Sequence, residues 1–417
     1  MLTNAPKGTK DTLPSQVYKW HFVEEAFADI CAKYGFKEIR TPMFEHTELF
    51  ARGVGDTTDI VQKEMYTFQD YAKRSITLKP EGTSPVARSF VEHKAYADVQ
   101  PSKYYYVTPC FRYEKPQSGR LREFHQFGIE VFGTPNMLAD AEVICLANDF
   151  LQELGITDIE LQINSVGCPH CRENHRKALK EFLASKYDDL CDTCKDRYDR
   201  NPMRILDCKS KDCQELVKGA PMMVDYLCDE CKEAFEDVQK NLTSLGVEFV
   251  VNPGIVRGLD YYTKTAFEFI TTSIGAQGTV CGGGRYDNLM EALGGPPIPG
   301  VGFGLGIERL LLTMEAAGIE IPEPDTADVF IAVMGDDAKA FGLGLLRQLR
   351  KAGVHAEMDV LARNIKGQFK YANRINAKKT IVIGDNELAE KKVAVKDMAT
   401  SQQTEIAIDD ILTELTK

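Results

Sequence analysis

No stretch of this 417-residue chain approaches 18 uninterrupted apolar residues, so no transmembrane helix is expected. The opening MLTNAPKGTKDTLP lacks the apolar run of a secretory leader, and a cytoplasmic protein is expected. The chain has no internal repeat and no low-complexity tract. Positive charge is in deficit: 50 Lys+Arg stand against 62 Asp+Glu, for a net charge of -12. That balance argues against indiscriminate nucleic-acid binding while leaving room for one local basic surface. What is present is ordinary for a globular protein, with 43% hydrophobic and 27% charged residues. The length gives a prior of two to four domains.

The pattern of apolar residues divides the chain into regions. A helix is expected over 17–34, where Val17, Trp20, Val23, Ala26, Phe27 and Ile30 recur at three- and four-residue spacings and Gly35 stops the run. Strands are expected at 37–41, 75–78, 104–111, 126–132 and 159–164, which together read as an α+β domain with a mainly antiparallel sheet. Residues 168–240 change character, with a cysteine cluster and helical segments at 172–185 and 231–245. Strands return at 248–251, 264–271 and 278–284, followed by a helix over 306–317. IPEPDT, 321–326, holds two prolines in six residues and reads as a linker. Beyond it, strands at 328–334, 355–358, 380–384 and 392–396 alternate with helices at 338–352 and 365–376, the pattern of a compact α/β domain.

Four segments carry residues suited to chemistry. FRYEKPQSGRLREFHQFGIEVFG, 111–133, reads as two strands flanking a loop with Lys115, Arg120 and Arg122. Arg112 and Arg120 pointing inward would grip a triphosphate, because a planar guanidinium bonds phosphate oxygens two at a time. An exposed hairpin is the plainer reading of those charges. Gln126 and Glu130, four apart, share one face of a strand. RGLDYYTKTAFE, 257–268, gathers a cation, a carboxylate and two phenols, which a polar turn into a strand would also explain. CGGGRYDNL, 281–289, and GFGLGIERL, 302–310, place glycines where a backbone could approach a flat ligand. No Gly-Lys-Ser/Thr follows, so a P-loop is excluded, and tight helix–strand packing is the default for the glycines.

Together these segments resemble the histidyl-tRNA synthetase family of class II aminoacyl-tRNA synthetases. GFKEIRTP, 35–42, corresponds to the first class motif, FRYE with the 120–124 spacing to the second, and GFGLGIER to the third. RGLDYYT and GGGRYD are blocks peculiar to that family, and PKGTKDTLP and PEGT, 80–83, fit as well. The resemblance implies an antiparallel-sheet catalytic core over 1–167 and 241–320, a helical Cys-rich insertion over 168–240 and a C-terminal α/β anticodon-binding domain over 327–417. It implies ATP-dependent ligation of L-histidine to tRNA(His) through a histidyl-adenylate, with Mg²⁺ accompanying ATP and a homodimer built partly around Pro42. Residue by residue, it implies that Arg112 and Arg257 meet the ATP α-phosphate, that Glu114 and Arg120 belong to the ATP site, and that Arg309 holds the γ-phosphate. Glu81, Thr83 and Gln126 would receive the histidine ammonium, and Glu130 and Tyr262 would bond the imidazole, with Tyr261 and Tyr286 lining the pocket. Lys264 stands where many relatives carry glycine, and Ala266 where valine is common; neither is expected to reach the chemistry. The rival reading is a non-catalytic paralogue, a regulatory subunit or an uncharged-tRNA sensor. Retention of Arg257, both tyrosines and a long segment after the linker argues against it.

Eight of the twelve cysteines fall between 168 and 231. The spacing is CPHC, nineteen residues, CDTC, thirteen residues, Cys208 and Cys213, fourteen residues, then CDEC. The first four match a zinc pattern, and Cys168, Cys171, Cys191, Cys194, Cys208, Cys213, Cys228 and Cys231 would fill two tetrahedral structural zinc sites, in a pairing the spacing leaves open. Free thiols, redox pairs and an iron–sulfur cluster are the alternatives. Finally, Arg363, Lys366, Lys370, Arg374 and Lys378 recur every three or four residues, as on one helix face, and are expected to form either a solvated face or a phosphate track for tRNA.

Overall fold

The computed structural model describes residues 3–56, 58–208, 210–271 and 278–416. The expected domain ranges start at residue 1 and end at residue 417, both outside the described residues. The chain forms two compact units, Met1–Ile321 and Pro322–Lys417.

The first unit is organised by an eight-stranded sheet. Its strands are β1 (Lys37–Glu38), β5 (Ser102–Phe111), β6 (Glu123–Phe132), β7 (Glu160–Ser165), β8 (Val250–Val251), β9 (Thr263–Ile270), β10 (Thr279–Arg285) and β11 (Gly300–Gly306), in the order β1-β5-β6-β11-β10-β9-β7-β8. The inner pairs are antiparallel, and only the short edge strands β1 and β8 run parallel to their neighbours. A small antiparallel sheet, in the order β2-β4-β3, is formed by β2 (Phe44–His46), β3 (Tyr66–Gln69) and β4 (Ser75–Leu78). The α+β class expected from the sequence is the class observed.

Two-residue periodicity explains the two faces of the large sheet. In VGFGLG, Val301, Phe303 and Leu305 point into a core shared with Phe127, Ile129 and Val131 of β6 and Phe267 and Phe269 of β9. The helices Pro14–Lys33, Leu138–Glu153, Asp229–Ser244 and Ile307–Ala316 supply the other side of that core. Gly302 and Gly304 alternate onto the opposite face. That face packs a second cluster containing Val86, Phe90, Tyr106, Tyr261, Tyr262 and Tyr286. The alternation of large residue and glycine therefore builds a solid core below the sheet and an open floor above it.

The first helix starts with proline at its first turn and is followed by Gly35 at φ 78°, as a proline-led start and a left-handed stop require. The helices Thr83–Glu92 and Leu138–Glu153 are absent from the sequence reading. The second is buried on most sides, with nine residues from Ala139 to Leu151 inside, so it shows no amphipathic stripe. The strand expected over 37–41 shrinks to two residues, because β1 pairs only with Tyr104 and Tyr105.

Residues between β7 and β8 form the helices Pro169–Ala184, Asp192–Arg200, Lys211–Leu216 and Asp229–Ser244. Their own apolar cluster is small, centred on Leu179, Leu183, Leu190 and Ile205 with cysteines among them. Phe235, Val238 and Leu242 of the last helix belong to the main core instead.

The second unit is a five-stranded sheet in the order β13-β12-β14-β15-β16, with β12 (Val329–Met334), β13 (Ala356–Met358), β14 (Lys379–Gly384), β15 (Lys392–Asp397) and β16 (Gln403–Ala407). β13, β12 and β14 are parallel, joined through the helices Asp336–Lys351 and Ile365–Arg374. β16 went unread in the sequence: QTEIA is an almost wholly exposed edge and carries no buried stripe. Among the described residues, no helix is long and apolar enough to cross a membrane.

Candidate active site

The open face of the sheet holds a buried polar pocket. Glu130 of β6 lies at its base with no exposed surface. Tyr106 donates to one carboxylate oxygen at 3.1 Å, and Tyr286 donates to the other. Burial pushes the Glu130 carboxyl up to about 8; hydrogen bonds from Tyr286 and Thr83 act against that rise, and the neighbouring Glu81 adds to it. Glycines make the room. A Cβ on Gly302 would lie 2.1 Å from the Glu130 carboxylate, and one on Gly304 would lie 2.1 Å from the Gln126 amide. Gly82 and Gly128 leave space in the same way for the Tyr106 ring.

Glu81 and Thr83 sit where the helix Thr83–Glu92 begins. The Glu81 carboxylate accepts from the backbone N–H groups of Thr83 at 2.7 Å and Ser84 at 2.8 Å, which fixes its orientation at the positive end of the helix. Gln126 Oε1 accepts from the Gly82 N–H at 3.1 Å. The rings of Tyr261 and Tyr262 are 4.7 Å apart, and Tyr261 and Tyr286 meet edge to face at 5.4 Å. All seven residues expected around an amino acid are thus brought together. The Tyr262 phenol lies against Arg257 and Tyr261, within electrostatic reach of Glu130.

Beside this pocket the cations gather. Arg112 donates through Nε to the Pro80 carbonyl at 2.8 Å and lies over the Phe124 ring. Arg120 pairs with Glu114 at 2.8 Å. Arg309 donates to the Thr279 carbonyl at 2.6 Å and to the Gly119 carbonyl at 3.5 Å, tying the 112–122 loop to the third motif. Arg257 pairs with Glu268 and occupies space kept free by Gly282, where a Cβ would lie 2.6 Å from its Nη1. Burial opposes the charge on Arg257, but Tyr262 and Glu268 hold its pKa above the ordinary arginine value. Burial, and then repulsion from Arg120, lowers that of Arg309. Three carboxylates, Glu64, Glu114 and Glu268, face four guanidinium groups. The surplus of positive charge suits a polyanion, whose oxygens would take the free guanidinium donors. The buried Nε of Arg257 has no hydrogen-bond partner within the chain. Glu114 also has an oxygen to spare, because its Oε1 is 3.9 Å from Arg112. A carboxylate beside a triphosphate site fits Mg²⁺, which takes one or two carboxylates and draws its remaining ligands from phosphates and water.

Four contributors were given no site role in the sequence reading. Tyr106 and Glu268 alternate onto the pocket face of β5 and β9, a signal visible only once the pairing is known. Glu308 accepts from the His125 N–H at 3.0 Å, and so braces the second motif against the third. Lys79 is fully buried, donates to Thr41 at 3.2 Å, and burial lowers its pKa. Two residues near the site have structural partners instead. Arg285, within GGGRYD, is fully buried against Asp140, and Arg122 lies over the Tyr113 ring at 3.8 Å.

The eight clustered cysteines form two four-sulfur groups. Cys168, Cys171, Cys228 and Cys231 make an outer group, and Cys191, Cys194, Cys208 and Cys213 an inner one, with all sulfurs of a group within 4.8 Å of one another. The first four cysteines in sequence therefore do not share a site. CPHC and CDEC meet because each opens one of the long helices that enclose the inner segment. The tetrahedral Zn–S bond of about 2.3 Å puts sulfurs about 3.8 Å apart. The observed separations are 3.5 Å for Cys168–Cys171, 3.9 Å for Cys168–Cys228 and 3.8 Å for Cys191–Cys208. Backbone N–H groups of Cys228 and Cys191 point at the sulfurs of Cys171 and Cys213. Each group is thus shaped for a thiolate-bound metal.

The C-terminal basic residues divide differently from expectation. Lys366, Lys370 and Arg374 share an exposed face of the helix Ile365–Arg374. Arg363 precedes that helix, because Asn364 caps it by accepting from Gly367 at 2.8 Å; Arg363 is bound to Asp359 and stacks on Tyr371. Lys378 follows the helix, which ends before Asn376 at φ 51°, and pairs with Asp328 at 2.8 Å.

The family described as Histidyl-tRNA synthetase matches residues 8–310, and the family described as Anticodon binding domain matches 328–417. The histidine–tRNA ligase of Caldanaerobacter subterraneus subsp. tengcongensis is 60% identical over 411 residues, covering 99% of each chain. The histidine–tRNA ligase of Clostridioides difficile is 56% identical, covering 100% of this chain and 99% of the relative. The crystal structure of apo Staphylococcus aureus histidyl-tRNA synthetase superposes with a TM-score of 0.85 at 42% identity, covering all of both chains.

Proposed function

The chain belongs to the histidyl-tRNA synthetase family of class II aminoacyl-tRNA synthetases, and from that premise we propose that its two adjoining pockets carry out the ATP-dependent attachment of L-histidine to tRNA(His). The observation that carries the assignment of residues is the meeting of a buried carboxyl, Glu130, with four guanidinium groups across one glycine-lined sheet face. A non-catalytic paralogue would have no use for that convergence.

The chemistry follows from the placement. The nucleophile is the carboxylate of histidine itself, so the protein supplies position and electrostatics rather than a covalent base. Glu81, Thr83 and Gln126 hold the ammonium group. Glu130, with Tyr106 and Tyr286 on its oxygens, meets the imidazole, and Tyr261 and Tyr262 close the walls. An amino acid without ring nitrogens could add nothing to the bonds that Tyr106 and Tyr286 make to the buried Glu130, which is the basis of selectivity. Attack of the carboxylate oxygen on the α-phosphorus forms histidyl-adenylate and releases pyrophosphate. Arg112 and Arg257 stabilise the charge that grows on the α-phosphoryl oxygens. Arg120 and Arg309 hold the departing end of the triphosphate. Glu114, with the phosphates, would hold Mg²⁺, which would supply countercharge to the pyrophosphate portion. In the second step a hydroxyl of the terminal ribose of tRNA attacks the carbonyl carbon and AMP leaves.

The wider reading extends to the rest of the chain. The catalytic domain comprises 1–167 and 241–320, the insertion 168–240, and the anticodon-binding domain 327–417. The protein works in the cytoplasm as a homodimer with Pro42 near the interface. Each four-cysteine group holds a structural zinc ion, which supports an insertion whose own apolar core is small. Lys366, Lys370 and Arg374, flanked by Arg363, follow tRNA phosphates. Histidine-dependent ATP–pyrophosphate exchange, with other amino acids as controls, tests the enzyme; absence of exchange from folded, metal-replete protein would refute it. Elemental analysis tests the metal: about two zinc ions per chain are expected, and a content below one removes the zinc reading.

A further inference from the structure

Lys264 immediately follows the Arg257–Thr263 block and lies in the left-handed region, at φ 49°. It sits in a bulge. β10 pairs Gly284 with Ala266 but Arg285 with Thr263, so two residues of β9, Lys264 and Thr265, fall within one step of β10. A bulge with this backbone favours glycine. The lysine held there has two partners: its ammonium donates to Glu230 at 3.0 Å and lies 3.7 Å from Asp287. Glu230 is inside CDEC, between two sulfurs of the outer group. Asp287 adjoins Tyr286, which bonds Glu130. The Asp287 N–H also bonds the Thr263 hydroxyl at 3.0 Å.

A second link runs from the other half of the outer group. Arg172, next to Cys171, donates to the Val166 carbonyl at 3.2 Å and to the Asp260 carbonyl at 3.4 Å. Asp260 directly precedes Tyr261 and Tyr262. The backbones interlock as well: Val166 N–H bonds the Lys264 carbonyl at 2.8 Å, and Lys264 N–H bonds the Gly167 carbonyl at 3.0 Å, one residue before Cys168. The outer sulfurs are therefore joined to both ends of the tyrosine wall, through Arg172 at one end and Glu230 with Lys264 at the other.

We propose that a metal ion in the outer group is a positioning element for histidine binding, and that Lys264 is the positioning residue that transmits it. By fixing the first turns of the helices Pro169–Ala184 and Asp229–Ser244, the ion sets Arg172 and Glu230. These hold Asp260, Lys264 and Asp287, and with them Tyr261, Tyr262 and Tyr286. The inference rests on the zinc occupancy proposed above.

Lys264→Gly separates bracing from folding, because glycine suits the backbone while losing the ammonium. In the full chain, Lys264→Gly is expected to keep the wild-type zinc content and to melt at no lower temperature. Its histidine Kd, measured by calorimetry and so independent of turnover, should rise at least threefold. In pyrophosphate exchange the histidine KM should rise in parallel with kcat nearly unchanged, and Lys264→Arg should restore most of the affinity. Cys228→Ser should lose one zinc and weaken histidine binding, and adding Lys264→Gly to it should weaken binding no further, since loss of the ion already releases the Lys264 link. An unchanged Kd in Lys264→Gly would overturn the proposal, as would multiplicative effects in the double variant or a zinc content unaffected by Cys228→Ser. Should Cys228→Ser fail to fold, the Gly and Arg pair at 264 decides alone. Absence of exchange from the wild type, with histidine still bound and the variant pattern intact, would refute adenylation and leave the bracing standing.

Discussion

Arg285 and Asp140 form an ion pair in which neither side chain has any exposed surface, one residue away from the Tyr286 that serves the pocket. Arg285 also donates to the Thr134 carbonyl and to Asp287, so its guanidinium is fully employed. The GGGRYD block thus holds a structural anchor and a pocket residue side by side. Arg285→Met should destabilise the protein by about 3–5 kcal/mol, because Asp140 would be left buried and uncompensated. Urea unfolding followed by circular dichroism measures this, and Arg285→Met with Asp140→Leu should recover part of the loss.

The glycine floor makes a second prediction. Gly302→Ala would put a methyl group 2.1 Å from the Glu130 carboxylate and 2.2 Å from the Ile129 carbonyl, and the backbone atom cannot step aside. A cost of about 1–3 kcal/mol in stability is expected, with weaker histidine binding. Gly246→Ala, where no neighbour lies within 4 Å, makes a contrasting variant with strain at φ 71° but no clash.

Glu130 ties stability to pH. Its carboxyl is raised from 4.5 to about 8 in the folded protein. The folded state therefore holds that proton more tightly than the unfolded state does. The stabilisation is complete below pH 4.5 and is lost as pH rises towards about 8. Unfolding free energies of the free enzyme at pH 5, 6.5 and 8 should fall by more in the wild type than in Glu130→Gln. The same variant should bind histidine more weakly by about 5- to 100-fold, as expected when a buried hydrogen-bond partner is mismatched. An equal pH slope in both proteins would contradict the burial argument.

Arg257 has a buried Nε without a partner and a position opened by Gly282. Arg257→Ala should lower exchange kcat by about 10²–10³, the usual loss when one charge-stabilising donor is removed from a transition state. Arg257→Lys should recover little, since a point charge cannot serve Glu268 and a phosphoryl oxygen in the same fork geometry.

Lys370 and Arg374 are exposed on one helix face. Replacing both with glutamate should raise the KM for tRNA and flatten the salt dependence of tRNA binding by about one unit of slope per lost phosphate contact. Pyrophosphate exchange, measured alongside, involves no tRNA and separates this effect from misfolding.

Local pattern was enough for the class and for most strands, because each rests on short-range periodicity. Tyr104–Phe111 and Gln126–Phe132 are largely apolar runs of strand length, and the VGFGLG strand writes its two faces directly into sequence. The motifs also named most of the pocket, since the residues that touch a shared substrate sit in a few short blocks. Tyr106, within a run of three tyrosines, Glu268, and Lys79, just past the end of β4, escaped notice because none carries a local mark of its role. Their roles appear only when register sets Tyr106 opposite Gly128 and Glu268 opposite Gly282.

The cysteines mark the boundary between the two kinds of information. Sequence determined that eight thiols at paired spacings suit two metal sites, because CxxC at a helix start is a local geometry. It could not determine that Cys168 and Cys171 join Cys228 and Cys231, some sixty residues away. That pairing depends on two helices being brought side by side by the main sheet, onto which the Asp229–Ser244 helix packs Phe235, Val238 and Leu242. The same long-range packing carries Lys264 to Glu230, and it turned a residue that sequence set aside as remote from the chemistry into a contact of the outer cluster.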